Sequence, residues 1–231
     1  MELINVPHND DNMPLRNRAR LWGDPKGGAL YRWGGDGAYA NTSDNDNIKL
    51  WKLDIGDGGG GTWGTPDPVN PFVFAEVNSG VRTFATVCDG AGYTIGGYAT
   101  SASDARFYKT PFGQGSIPLP GVVSYDMESR TWANDSSMGW NAHGRGRSGA
   151  AVCLEGGSNI SDALLLMLGG QSTNLDSADD AAAVITAINN ITIYDPTQKR
   201  WHYQETTGDL PTNRENFCAV VAQSLNGTFE M

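Results

Sequence analysis

Tyr125-Asp126-Met127-Glu128-Ser129-Arg130-Thr131-Trp132 and Tyr194-Asp195-Pro196-Thr197-Gln198-Lys199-Arg200-Trp201 are one phrase written twice. In each copy an apolar run ends in Tyr-Asp, and a tryptophan follows six residues after the aspartate. A looser copy, Ile48-Lys49-Leu50-Trp51-Lys52-Leu53-Asp54 ahead of Trp63, makes a third. Trp63, Trp132 and Trp201 stand sixty-nine residues apart, twice over. Upstream of each phrase an apolar run stops at a diglycine: Tyr31-Arg32-Trp33-Gly34-Gly35, Tyr93-Thr94-Ile95-Gly96-Gly97 and Leu166-Met167-Leu168-Gly169-Gly170. A fixed-period repeat of strands describes units that cannot bury their faces alone and must stack on copies of themselves.

Worked outward, the phrases organise the chain into four-strand units labelled a to d. The first unit reads as strand b at 29–33, c at 48–54 and d around Trp63, with no evident strand a. The second reads as a at 83–88, b at 92–95, c at 121–126 and d around Trp132. The third reads as a at 149–154, b at 163–168, c at 190–195 and d around Trp201. A fourth begins with strand a at 215–222, turns at Asn226-Gly227 and restarts at Thr228. The continuous apolar run Leu164-Leu165-Leu166-Met167-Leu168 fits a strand covered on both faces. The a–b and c–d connections are short, whereas b–c and d–a are long (36–47, 64–81, 98–120, 133–148, 171–189). In an antiparallel meander those long loops leave from one edge, which is therefore the expected surface for a protein partner or small ligand. Within one of them, Asp176-Ser177-Ala178-Asp179-Asp180 predicts a short helix running into 181–188.

The 231 residues include 26 acids against 16 Lys and Arg, a net charge of −10. That balance argues against nucleic acid and anionic membrane as partners. Arg145 and Arg147, in a glycine-rich stretch, read as a solvated turn. Cys88, Cys153 and Cys218 lie six, six and four residues after Arg82, Arg147 and Arg214, an equal parity that points all three to the same kind of face. They read as small buried hydrophobes, with no CxxC spacing and an odd number for a disulfide framework. No apolar run reaches membrane-span length, and residues 1–10 carry neither the basic region nor the apolar core of a signal peptide.

The strand-Gly-Gly, Tyr-Asp and Trp set resembles kelch repeats, and the stretches around Arg214–Val221 and Asp195–Gln204 look most like fungal kelch ectodomains. The resemblance covers residues 21–231, after a polar segment at 1–20. It implies an all-β chain of kelch-type β-propeller blades, three plus a partial fourth. Such a set cannot close a ring, so an open arc is expected, with sheet faces exposed at both ends. It also implies a piece of a larger propeller. Gly34, Gly35, Trp63, Gly96, Gly97, Tyr125, Trp132, Gly169, Gly170, Tyr194 and Trp201 are the repeat-defining positions, with the three tryptophans at contacts between blades.

The function this reading favours is a non-catalytic binding scaffold at the cell surface or in the secretory pathway, with no cofactor or metal. Five sequons, at Asn41, Asn134, Asn159, Asn190 and Asn226, agree with that compartment. The rival class is a propeller enzyme, like galactose oxidase or the iron-dependent specifier proteins; a fragment without activity is a third. His8, His143 and His202 stand in no ligand spacing. Asp44-Asn45-Asp46-Asn47 lacks the glycine and distal glutamate of a calcium loop.

Overall fold

The computed structural model describes residues 13, 16–37, 48–58, 60–104, 106, 116–119, 121–136, 145–155, 162–173, 184–223 and 228–230. Three four-stranded antiparallel sheets follow one another along the chain, each hydrogen-bonded in the order a-b-c-d. The first blade consists of Arg20–Gly23, Ala29–Trp33, Trp51–Ile55 and Gly61–Gly64. The second consists of Phe84–Cys88, Ala91–Ile95, Val122–Asp126 and Thr131–Asp135. The third consists of Ala150–Leu154, Leu164–Leu168, Asn190–Asp195 and Arg200–Glu205. The first blade thus has the strand a that its sequence, Arg20-Leu21-Trp22-Gly23, is too short and mixed to announce.

The repeated phrase folds as a hairpin for a local reason. Asp126 accepts hydrogen bonds from the Ser129 backbone N–H at 2.6 Å and from its hydroxyl at 2.8 Å, and Asp195 accepts the Gln198 N–H at 2.8 Å. Arg130 and Lys199 then take left-handed φ of 58° and 54°, which turns the chain into strand d. Tyr125 consequently faces Trp132, and Tyr194 faces Trp201, with ring centroids 4.9 and 4.8 Å apart.

Packing between blades obeys one parity. Four residues just ahead of the inner strands have left-handed φ: Arg18 (58°), Arg82 (53°), Ser148 (59°) and Asn216 (52°). Counted from these, even positions face the next blade and odd positions the previous one. Trp22 enters the cluster between blades one and two, while Phe84 and Cys88 enter the one between blades two and three. Val152 enters the cluster on the far face of blade three, which Ala219 and Val221 cover. Trp132 sits between blades, 4.5 Å from Trp33 and 5.3 Å from Phe74 by ring centroids. Trp201 packs against the cluster between blades two and three.

Several expectations need correction. Cys88 and Cys153 form a disulfide, with Cα atoms 5.4 Å apart, and Cys218 is exposed. The equal-parity reading counted from Arg147 and Arg214, but the equivalents of Arg82 are Ser148 and Asn216. On that register Cys88 is at an even position and Cys153 at an odd one, so they face each other. Trp63 is half-buried opposite Leu53 and joins none of the described clusters between blades.

The fourth strand a is not a strand over 215–221; only Ala222–Gln223 pairs, with Phe229–Glu230, and the Asn226-Gly227 turn lies outside the described residues. Residues 215–221 still alternate in burial as a strand would, with Phe217, Ala219 and Val221 inward. Of the two ends, Leu21 and Val220 are exposed, but Trp51 and Leu53 are buried. The helix expected after Asp176 falls mostly outside the described residues, and Val184–Ile185 pairs as strand with Gln171 and Ser172. An unannounced helix, Pro71–Glu76, occupies the connection between the first two blades.

Candidate functional site

Strand b ends, strand c begins, strand d ends and strand a begins at the same edge of each blade, so the long connections do share one side. The diglycines stitch that edge. Gly35, Gly97 and Gly170 donate their N–H groups to the carbonyls of Gly80, Gly146 and Arg214, each just ahead of the next inner strand, at 3.1, 2.9 and 2.9 Å. Both glycines of every pair have positive φ, from 55° to 84°. The approach leaves no room for a side chain: a Cβ on Gly34 would stand 2.7 Å from the Gly80 oxygen, and one on Gly169 2.7 Å from the Arg214 oxygen.

The leads into the inner strands are bonded to one another as well. Ser148 donates its N–H to the Arg82 carbonyl at 2.8 Å, and Asn216 to the Ser148 carbonyl at 2.7 Å. Arg20 reaches from the first blade to the second, donating to the Thr83 hydroxyl at 3.3 Å and to the Thr83 carbonyl. The four left-handed residues therefore form an arc at the start of the inner strands.

This arc is rich in arginine. Within three residues of its left-handed positions lie Arg16, Arg18, Arg20, Arg82, Arg145, Arg147 and Arg214, against a single acid, Glu215. Arg147 is buried, not solvated as its glycine-rich context suggested; its Nε donates to Gln171 Oε1 at 3.0 Å and its guanidinium lies 5.5 Å over the Tyr98 ring. Arg16 donates to the carbonyls of Gly35 and Ser103. Burial lowers the pKa of Arg20, and burial followed by the neighbouring Arg16 charge brings that of Arg32 down to about 10.

A cleft of about 160 Å³ opens on the same edge over the second blade. Thr83, Thr94, Asn134, Ser136 and Asn78 supply its hydrogen-bonding groups, and Leu119 and Val123 its apolar wall. Its size suits a benzene-sized group or a single side chain better than a drug-sized molecule. Behind it, buried Asp104 pairs with Arg106 at 2.6 Å, and Arg106 also donates to the carbonyls of Ala75 and Val77. That latch holds the Pro71–Glu76 connection against the second blade's b–c loop.

Among the sequons, Asn134 and Asn190 are exposed, at the end of a strand d and the start of a strand c. Asn41, Asn159 and Asn226 lie outside the described residues, as do His8, His143 and the 44–47 turn. His202 is exposed on strand d of the third blade. Among the described residues, no group of three or more His, Cys, Asp and Glu side chains is placed to hold a metal ion, and no helix is long and apolar enough to cross a membrane. The arginine arc was the feature that the motifs did not disclose. Its signal is the spacing of 64, 66 and 68 residues between positions 18, 82, 148 and 216, visible only once their φ is known.

Over 98% of its length the chain is similar to a kelch repeat-containing protein of Arthroderma benhamiae, with 25% identity. The chain spans 36% of that protein's length, about a third. It also matches the fold of YjhT, with a TM-score of 0.54 and 14% identity over 87% of this chain and 54% of that one. No family model matches the chain. The resemblance to fungal kelch-repeat proteins and the kelch-type blades are thus supported from both sequence and fold.

Proposed function

We propose that this chain of kelch-type blades is a non-catalytic scaffold that holds a protein or small ligand on the edge formed by its b–c and d–a connections. The observation that carries this reading is the cleft at that edge, walled by neutral hydrogen-bonding groups and two aliphatic side chains. A site of that make-up, whose lining among the described residues has no ionisable side chain, is suited to orienting a ligand by hydrogen bonds and apolar contact.

The reading places the chain within a larger cell-surface or secreted propeller, with residues 21–231 as the propeller portion and 1–20 as a polar segment ahead of it. The Cys88–Cys153 disulfide supports an oxidising compartment. The exposed sequon at Asn190 is compatible with the same route, whereas a glycan on the equally exposed Asn134 would occupy the cleft.

Amide hydrogen exchange with and without binding partners captured from culture medium tests the choice of edge. Protection should centre on Thr83, Thr94–Gly96, Gly121–Val123 and Asn134–Ser136. Protection confined to the c–d turns at 127–130 and 196–199 would put the binding surface on the opposite edge. Stoichiometric copper or iron in the purified protein, with turnover, would replace the scaffold by an enzyme.

A further inference from the structure

We propose that the arginine arc at the start of the inner strands is a site for an oxyanion, a carboxylate or phosphate group, on the ligand that the long-loop edge receives. The inference rests on that edge being the binding edge and adds the chemistry of what it takes.

The argument is one of charge placement. The molecule carries 26 acids and a net charge of −10, so an anion approaching most of its surface is repelled. The stretches within three residues of the arc's left-handed positions reverse that balance in sequence, with seven arginines to one glutamate. Asp36 joins them from another segment, 3.7 Å from Arg18. The fold fixes several of these cations in place. Arg16 is tied to two carbonyls, Arg20 to Thr83, and Arg147 to Gln171. Arg18 and Arg214 are exposed, Arg214 donating to its near neighbour Thr212, to the carbonyl at 3.0 Å and the hydroxyl at 3.2 Å, so these two supply the reach. Arg18 lies 3.7 Å from Asp36, with 47% of the Arg18 side chain and 23% of the Asp36 side chain exposed, a long pair with which a closer acceptor competes. Because Arg82, Ser148 and Asn216 are joined backbone to backbone, the arginines beside them keep their spacing when a ligand arrives.

Guanidinium is suited to this task because its planar fork matches the two oxygens of a carboxylate or phosphate. The adjoining cleft is neutral, and Thr83 belongs to both, as cleft wall and as the acceptor of Arg20. A ligand with one anionic group and a small polar or apolar body would therefore place the anion on the arc and the body in the cleft.

The test uses the full chain, titrated with inorganic phosphate in one arm and citrate in the other, by calorimetry and backbone amide shifts. At least one anion should bind saturably at one site, more weakly as sodium chloride is raised, with shifts at residues 80–84, 146–149 and 214–216. Arg18→Gln and Arg214→Gln should each weaken that binding by tenfold or more, Arg18→Lys less, and Arg130→Gln on the opposite edge not at all. Thermal melts of every variant check that the fold is kept. The arm that saturates identifies carboxylate or phosphate as the preferred group. Absence of saturable binding in both arms, or equal losses in Arg18→Gln and Arg130→Gln, overturns the proposal. If a captured partner still protects the cleft while neither anion binds, the anion site falls and the binding edge stands. If no partner protects that edge either, both fall.

Discussion

Gly170 has φ of +83°, and a Cβ there would stand 2.5 Å from the Arg147 carbonyl oxygen and 2.7 Å from the Gly149 nitrogen. Gly90 has φ of +74° but nothing within 4 Å of its own Cβ position. The two positions separate backbone strain from close approach. Gly90→Ala should cost only the left-handed penalty of about 1–2 kcal/mol. Gly170→Ala carries the same penalty and must also push two backbone segments apart. We expect it to lose about 2 kcal/mol more than Gly90→Ala, read as a lower urea midpoint at unchanged slope. An equal loss for both would mean that the stitched edge relaxes freely. The glycine pairs were legible in the sequence because no other residue meets both demands. The arginines were not, because arginine is common on surfaces and its role here depends on which backbone positions turn left-handed.

At the scale of elements, the outer strand of the second blade is an edge that its neighbour clamps. Asn70, just ahead of the helix Pro71–Glu76, donates from Nδ2 to the Trp132 carbonyl at 2.7 Å and accepts the Trp132 N–H on Oδ1 at 2.9 Å. The helix then lays Phe74 against Trp33 and Trp132. Asn70→Ala removes both hydrogen bonds and should cost about 1–3 kcal/mol. Hydrogen exchange at the Trp132 amide should rise well above that at Tyr125, which lies inside the sheet; unchanged protection of Trp132 would show that water or another group replaces the clamp. Neither the helix nor the clamp could be read from Thr65-Pro66-Asp67-Pro68-Val69-Asn70, whose prolines announce only a loop. The hairpins, in contrast, could be read, since Asp126 and Asp195 make bonds that reach only three residues along the chain. The fourth inner strand was half legible: its alternation survives, but strand assignment needs a partner, and among the described residues 215–221 have no paired strand.

For the whole molecule, the Cys88–Cys153 bond ties two successive blades across 65 residues of sequence. Closing a loop of that length restricts the unfolded chain by an amount worth about 4 kcal/mol. Reduction, Cys88→Ser and Cys153→Ser should each lower stability by a similar amount, and the double variant should lose no more than either single one. Additive losses in the double variant would point to packing of each sulfur instead of the bond. Buried phenols set the alkaline limit. Burial pushes the Tyr125 pKa up to about 12, and burial followed by the bond to Asp135 raises that of Tyr194. A raised phenol pKa leaves the folded state fully favoured below the unfolded value near 10. That contribution is lost as pH climbs through the folded value. The urea midpoint should therefore hold up to about pH 10 and fall steadily towards pH 12; a flat profile to pH 12 would show that these rings are solvated. By itself the sequence determined the strand phrases, their turns and the need to stack, because those rest on bonds within a few residues and on a period repeated along the chain. Only the tertiary structure decided which cysteines meet, that Arg147 is buried, and that arginines from four separate segments share one arc. Those outcomes depend on register between blades, where a shift of one residue reverses the side a chain atom faces, and that register is set by packing across more than sixty residues.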